Sequence, residues 1–271
     1  MFTTLSQVIE YYQHYHLTDN KYQYRADNLL FFDAHLLADI RKHHIKEYAQ
    51  FRRVTVSNAT INREVSFARA AINLVNCDYE ISLNNPFERV KFVEKDYIPN
   101  YLSRTDYDKL LRSALETDNH TLYDFIVLLA MTGCRPKVLL TLKWSNVYLD
   151  KHQFVVRNYF SKSKKTLYKY LNRTAFEVLS SRSQDCEYVF TNPATNKPYT
   201  TFTKTFARCK SRAGLSCTMY DLRHTYASWL VQDGVSLYMV KDLLGHQDIE
   251  STVRYAHLDY QSLLNAVDRI G

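Results

Sequence analysis

The amino-acid sequence predicts a mainly α-helical fold with a small three-stranded β-sheet in its second half. Apolar residues recur at helical spacing along most of the chain, as in Ile61, Val65, Ala68 and Ile72. The region 147–171 is instead rich in Val, Phe and Tyr, which is typical of short strands. With only 5 glycines and 5 prolines in 271 residues, a turn-rich β-sandwich is disfavoured.

The first part of the chain is predicted to be a helical domain over residues 1–86. Four segments show helical spacing, and they lie at 5–12, 29–40, 45–53 and 60–75. Asn84-Asn85-Pro86 ends the pattern. Residues 87–101 are charged and aperiodic and include Pro99, so we interpret them as an interdomain linker.

The second part, residues 102–271, begins with Ser103, which is predicted to cap a helix. An apolar helix over 122–131 should stop at Thr132-Gly133, and Pro136 should start a short helix. Three strands are expected at 147–149, 154–159 and 166–171, with a basic hairpin tip around Lys162. Further helices are predicted at 174–182, 201–213, 221–233, 236–244 and 248–257, followed by a tail with an apolar stripe of Leu263, Leu264, Val267 and Ile270.

Several function classes find no support in the sequence. It contains no phosphate-binding glycine loop, nucleophile elbow or zinc-protease motif. The 5 cysteines are scattered, and the pairs His14/His16 and His43/His44 lack matching ligands, so we expect no metal site and no cofactor. No secretory signal or membrane-spanning run is visible, and isolated thiols suit a reducing cytoplasm.

The net charge of +7 is concentrated in the second part of the chain. Residues 1–99 carry 12 basic and 12 acidic side chains, whereas residues 100–271 carry 23 and 16. A basic domain favours a polyanionic partner, although many basic proteins bind no nucleic acid. An RNA-binding function has no recognisable motif behind it.

An ordered set of polar residues stands out in this basic part. It comprises Thr132-Gly133-Cys134-Arg135, then Lys162, Tyr220-Asp221-Leu222-Arg223-His224, Leu244-Gly245-His246 and Thr252-Val253-Arg254-Tyr255-Ala256-His257. Each has an ordinary structural interpretation when taken alone. Arg135 could cap a helix, and Arg223 could pair with a surface carboxylate such as Asp221 or Asp242.

Taken together, these blocks resemble the tyrosine recombinase (phage integrase) family, whose pattern is T-G-x-R, a hairpin lysine, H-x-x-R-H, L-G-H and T-x-x-Y-x-H. The resemblance covers about residues 100–271. It implies a catalytic domain over 102–271 and, less strongly, a core-type DNA-binding domain over 1–86. It also implies a short form of the family that lacks an arm-binding segment.

The resemblance implies transesterification at a DNA phosphodiester. Tyr255 would attack phosphorus to form a 3′-phosphotyrosyl link, which conserves the bond energy without ATP. Arg135 and Arg223 would neutralise the transition state without a metal ion, and they would favour the phenolate. His246 would donate to the phosphate, and Lys162 would protonate the leaving oxygen, with Lys164 and Lys165 as rivals.

Two positions depart from the family pattern. Tyr220 replaces the first histidine, which weakens a role in proton transfer because a neutral tyrosine is a poor base. Val138 replaces an acidic residue that commonly braces the site, so another group, with Asp221 as the candidate, would have to orient Arg135 or Arg223.

The expected partner is double-stranded DNA with inverted-repeat sites, bound by a homotetramer on two paired sites with a Holliday junction as intermediate. Subunits would be linked through the tail, and a directionality or DNA-bending factor is a further candidate partner. Action at the nucleoid in the cytoplasm is expected. The candidate DNA contacts are Arg52, Arg53, Arg63, Arg69, Lys164, Lys165, Lys204, Arg208, Lys210, Arg212 and His224. The alternatives are a type IB topoisomerase-like relaxer and a non-catalytic DNA-binding relative.

Overall fold

A computed structural model describes residues 2–16, 22–95, 97–116, 120–157 and 166–259, with 264, 267 and 268. The chain divides into two compact units, Met1–Asp96 and Tyr97–Gly271. The described parts of both units are mainly helical, with small antiparallel sheets in the second, which confirms the predicted fold class.

The first unit is built on four helices. They are α1 (Leu5–His16), α2 (Gln23–Leu29), α3 (Lys42–Arg53) and α4 (Asn58–Asp78). The apolar stripe of α4 is buried in the core of this unit, where Ile61, Val65 and Ile72 are fully inaccessible to solvent. The segment 29–40 differs from the expected single helix, because α2 ends at Leu29 and two 3-10 turns follow it.

The predicted linker 87–101 is packed onto the two units rather than free. Phe87 is fully buried in the first unit, with its ring centroid 5.3 Å from that of Phe32. Asn62 binds the backbone N–H of Phe92 through its side-chain oxygen at 2.8 Å. In the second unit, the side-chain amide of Asn100 donates to the Asp221 carboxylate at 3.2 Å. Contacts with both units therefore hold this segment in place, although its aperiodic sequence gave no indication of them.

The second unit contains eight helices among its described residues. They are α5 (Arg104–Leu115), α6 (His120–Thr132), α7 (Pro136–Leu140), α8 (Arg173–Ser181), α9 (Thr203–Arg212), α10 (Met219–Gln232), α11 (Leu237–Leu244) and α12 (Glu250–Val253). The predicted signals hold at several ends: the Ser103 hydroxyl caps α5, and Pro136 occupies the first turn of α7. The apolar helix α6 is buried in the core of this unit.

A three-stranded antiparallel sheet lies between α7 and α8 in sequence. Its strands are β1 (Val147–Tyr148), β2 (Gln153–Arg157) and β3 (Thr166–Tyr170), in the order β1-β2-β3. The register pairs Gln153 with Tyr170 and Arg157 with Thr166. A second sheet consists of β4 (Thr191–Asn192) and β5 (Lys197–Pro198). The predicted hairpin tip with Lys162, Lys164 and Lys165 lies outside the described residues.

The predicted helix over 248–257 is interrupted. The α12 segment covers Glu250–Val253 only, and a 3-10 turn follows at Ala256–Leu258. Of the predicted apolar stripe in the tail, Leu264 and Val267 are described and both are exposed. Leu263 and Ile270 lie outside the described residues, so docking of the tail stays a prediction. Among the helices that the structure describes, none is both long and apolar enough to cross a membrane.

Candidate active site

The start of α10 directs Arg223 into the interior of the second unit. Thr218 and Asp221 form a reciprocal capping box that fixes the first turn. Arg223, one turn further on, is 6% exposed, and its guanidinium donates to the carbonyl oxygens of Gly133 at 2.5 Å and Leu244 at 3.0 Å. Arg223 therefore connects the ends of α6 and α11, where helix carbonyls lack intrahelical partners.

Both of these helix ends require glycine. Gly133 and Gly245 have φ values of +59° and +71°, in the left-handed region that side chains disfavour. A Cβ atom at Gly133 would approach the Tyr226 ring to 2.4 Å, and one at Gly245 would approach Leu167 Cδ2 to 2.4 Å. These tight turns fix the direction in which the chain leaves α6 and α11, and so where the next residues lie.

The two turns place Arg135 and His246 beside Arg223. Arg135 is exposed at the N-terminus of α7. Burial, and then the positive charge of Arg135, lowers the pKa of Arg223 to about 10, so the Arg223 guanidinium is charged at neutral pH. Two forked guanidinium groups that lie near each other can bind the non-bridging oxygens of a phosphate.

His246 is held as a neutral imidazole. Its Nδ1 lies 2.8 Å from the Thr252 hydroxyl, which leaves Nε2 for a further partner. Burial lowers its pKa to about 4, with added repulsion from Arg223 and Arg135. At neutral pH the imidazole therefore acts as a hydrogen-bonding group rather than as a cation.

Tyr255 is 1% exposed and lies in a small apolar cluster formed with α10 and α11. Its hydroxyl lies 2.6 Å from Nδ1 of His224, one residue after Arg223 on α10. Burial raises the pKa of Tyr255 to about 12, although Arg223 and Arg254 favour the phenolate. The expectation that Arg135 and Arg223 supply this attraction is corrected in part: Arg254 acts beside Arg223, and burial outweighs both.

The neighbour of the Tyr255 hydroxyl is suited to accept a proton. Burial lowers the pKa of His224 below its usual value, so the imidazole is uncharged at neutral pH. The sequence placed His224 among the DNA contacts, and the structure brings it to Tyr255 instead. The position of His224 in the motif was visible in the sequence, but its contact across 31 residues was not.

The structure does not support Asp221 as the group that orients an arginine. Its carboxylate accepts from the backbone N–H of Thr218 at 2.9 Å and from the side-chain amide of Asn100 at 3.2 Å. Carbonyl oxygens hold Arg223 instead. Tyr220 is 55% exposed at the same end of α10, near enough to Arg223 to affect its pKa.

A buried lysine near these residues was not singled out from the sequence. Lys169 on β3 is 2% exposed, and its ammonium group donates to the carbonyl oxygens of Thr132 at 3.1 Å and Leu243. Burial, together with the positive charges of Arg223 and Arg135, lowers the pKa of Lys169 to about 7. The signal in the sequence was a charged residue at an inward-facing position of a short strand.

The candidate DNA contacts of the first unit fall into two groups. Arg52 is 12% exposed and forms a bidentate pair with the fully buried Glu64, at 2.7 and 3.2 Å. This pairing makes Arg52 part of the core and corrects its expected role as an open contact. Arg53 and Arg63 are exposed, and Arg69 is partly exposed.

Arg63 and Arg69 line a groove of about 830 Å³ in the first unit. Other basic and aromatic side chains that the sequence did not single out line the same groove, and they are Arg25, Arg89, Lys91, Tyr12 and Tyr22. A basic groove with aromatic side chains is suited to a nucleic-acid backbone.

Four of the predicted contacts of the second unit lie on α9. Lys204 and Arg208 are exposed, and Arg212 is exposed with Glu116 at 3.9 Å. Lys210 is partly buried, and its ammonium group donates to the Cys217 carbonyl at 2.7 Å, which makes it less available. In the described part of the chain, no group of three or more histidine, cysteine or acidic side chains could hold a metal ion.

Comparison with known proteins shows which family the chain resembles in sequence. The model of the phage integrase family matches residues 100–262. The integrase of Haemophilus phage HP1 is 28% identical over 238 residues, which cover 87% of this chain and 67% of that protein. A tyrosine recombinase of Pseudothermotoga lettingae is 26% identical over 86% of this chain and 84% of that protein.

Solved structures share the fold. The Tn1549 transposon integrase in complex with a circular intermediate DNA gives a TM-score of 0.80 at 17% identity, covering 98% of this chain and 99% of that one. The lambda integrase tetramer bound to a Holliday junction gives 0.70 at 17% identity, covering 90% of this chain and 76% of that one. At these identities the likeness shows a common fold.

Proposed function

The chain belongs to the phage integrase family and is a DNA strand-transferring recombinase, and we propose that Tyr255 is its nucleophile. In this proposal the enzyme cleaves one strand per active site through a 3′-phosphotyrosyl link and rejoins it to a new partner. The observation that carries the proposal is the Tyr255 hydroxyl at 2.6 Å from a neutral imidazole, beside the buried guanidinium of Arg223.

The proton balance of cleavage follows from these groups. The Tyr255 oxygen forms a bond to phosphorus, and the phenol proton passes to Nδ1 of His224. The bond from phosphorus to the 5′-oxygen breaks, and that oxygen takes a proton from Lys162, the candidate that the family pattern supports. Lys164 and Lys165 remain alternative donors. No ATP is required, because the ester conserves the energy of the phosphodiester.

The transition state carries extra negative charge on the non-bridging oxygens. In this proposal Arg135 and Arg223 donate to these oxygens, and Nε2 of His246 provides a further contact; the proximity of both groups to Arg223 supports it. Fixed donors in a partly buried site are effective because they need little reorganisation as charge develops. Two guanidinium groups can therefore supply the electrostatic stabilisation without a metal ion.

The proposed substrate is duplex DNA with inverted-repeat sites. The basic groove of the first unit and the exposed cations of α9 support phosphate contacts that set register rather than read bases. A homotetramer on two paired sites is proposed by analogy with the lambda integrase tetramer bound to a Holliday junction. The predicted tail would then link the subunits.

Covalent capture on sheared genomic DNA from the source organism tests this function. The protein is mixed with DNA and denatured, and the ends of the protein-linked fragments are sequenced. We expect adducts at one inverted-repeat sequence, and we expect Tyr255→Phe to abolish them. Tyr238→Phe is the matched control, because Tyr238 is 71% exposed on α11.

Three outcomes would contradict the proposal. An adduct that persists in Tyr255→Phe would refute the nucleophile. Adducts at many unrelated sequences would favour a topoisomerase-like relaxer, which rejoins the original ends. Tight duplex binding without any adduct would favour a non-catalytic relative.

A further inference from the structure

Lys169 is an unusual residue for the interior of a domain. Moving an ammonium group out of water is costly unless hydrogen bonds or opposite charge compensate it. Lys169 is 2% exposed, and its compensation comes from the two carbonyl oxygens of Thr132 and Leu243. Both carbonyls belong to helix C-termini, where the helix dipole favours a cation.

These two carbonyls stand in register with those that hold Arg223. Lys169 binds the carbonyl of Thr132 and Arg223 binds that of the next residue, Gly133. At the other helix end, Lys169 binds the carbonyl of Leu243 and Arg223 binds that of the next residue, Leu244. The side chains of Lys169 and Arg223 thus form parallel cross-links between the end of α6 and the end of α11.

The cross-linked segments lead directly into the phosphate-binding residues. The end of α6 passes through the Gly133 turn to Arg135, and the end of α11 passes through the Gly245 turn to His246. A single cross-link allows the two ends to rotate about it, whereas two parallel cross-links fix their separation and their angle. Lys169 itself faces inward from β3, so it does not contact a bound strand.

We propose that Lys169 is a positioning residue that sets the separation of Arg135 and His246, and so aligns both with the scissile phosphate. This inference rests on the proposed function, because alignment matters only if a phosphate reacts there. Strand β3 is also locked against the same turn, since Leu167 lies within 2.4 Å of a Cβ built at Gly245. The hydrogen bonds of Lys169 therefore add to the close packing of β3 against the Gly245 turn.

The test measures the rate of adduct formation at saturating DNA, together with DNA affinity and thermal stability. Lys169→Met keeps an unbranched side chain as far as Cε and removes both hydrogen bonds. We expect the adduct rate to fall on the order of 100-fold, the effect of a misplacement of about 1 Å, with DNA affinity changed by about threefold or less. Lys151→Met, which removes an exposed lysine near the same sheet, should leave the rate unchanged.

A double-mutant cycle separates positioning from general structural support. If Lys169 acts through His246, Lys169→Met should lower the rate less in a His246→Ala background than in the unaltered chain. Effects that multiply independently would overturn the proposal, and so would an unchanged rate in Lys169→Met.

Three outcomes separate a failure of this inference from a failure of the proposed function or of folding. If Lys169→Met does not fold, Lys169→Gln is measured in its place under the same criteria, because its amide nitrogen is one bond closer to the backbone than Nζ and cannot reach both carbonyls. If the unaltered chain forms no adduct with DNA, the proposed function and this inference both fail. Normal cleavage by Lys169→Met would refute the positioning role alone.

Discussion

Replacing His224 with phenylalanine tests whether the imidazole accepts the proton of the nucleophile. The pKa of Tyr255 is about 12, so at about pH 8 only about one molecule in 10⁴ carries the phenolate unaided. Forming the phenolate at this pH therefore costs about 5 kcal/mol of free energy. A positioned general base typically contributes a factor of about 10²–10⁴. We therefore expect His224→Phe to lower the cleavage rate at saturating DNA by about 10²–10⁴-fold.

The pH dependence gives the sharper measurement. Burial lowers the pKa of His224 below its usual value, so the native cleavage rate should be constant with pH above about pH 6.5 and should fall at lower pH as the imidazole takes up a proton. In the variant, the rate should rise about tenfold per pH unit as the phenolate population of Tyr255 increases. His120→Phe is the control, because His120 is exposed at the start of α6. A variant rate within about threefold of native at pH 8, with an unchanged pH profile, would refute the reasoning.

Three further predictions concern stability and DNA affinity. Glu64→Gln should destabilise the first unit by about 3–5 kcal/mol in urea unfolding, because Arg52 loses its buried partner; an unchanged midpoint would contradict this. Gly245→Ala should lower the melting temperature, since its φ is +71° and its Cβ would meet Leu167, and Leu167→Ala should restore part of the loss. Arg63→Ala should reduce the salt dependence of DNA binding by about one phosphate contact, whereas Arg52→Ala should leave the slope unchanged; equal slopes for both would refute the distinction.

The features that the sequence predicted well are local. The Ser103 cap, the start of α7 at Pro136 and the end of α6 before Gly133 depend on neighbours within one helical turn. Such positions are decided by backbone preferences that each residue type carries wherever it occurs. The order of the arginine, histidine and tyrosine blocks was equally visible, because motif spacing is a property of the sequence itself.

The features that could not be predicted from the sequence are contacts between residues far apart along the chain. Arg52 looked like an exposed cation, yet its partner Glu64 lies on the next helix. Lys169 pairs with carbonyls 37 and 74 residues away, and no side-chain motif marks a carbonyl acceptor. The break after α12 has the same origin, because Thr252 and Tyr255 turn toward His246 and His224.

Arg223 binds two backbone carbonyls and, in the proposed function, also a phosphate, which restricts the residues that can replace it. One N–H on each of its terminal nitrogens is committed to a carbonyl, which leaves the Nε–H and the second N–H of each terminal nitrogen for a phosphate. Lysine in that position has a single nitrogen, so it cannot span two carbonyls and still present a fork to the substrate. Loss of the guanidinium would thus remove both a phosphate-binding group and the link between the ends of α6 and α11. We therefore expect Arg223→Lys to abolish DNA cleavage although the positive charge is kept. Adding salt or raising the DNA concentration should not restore cleavage.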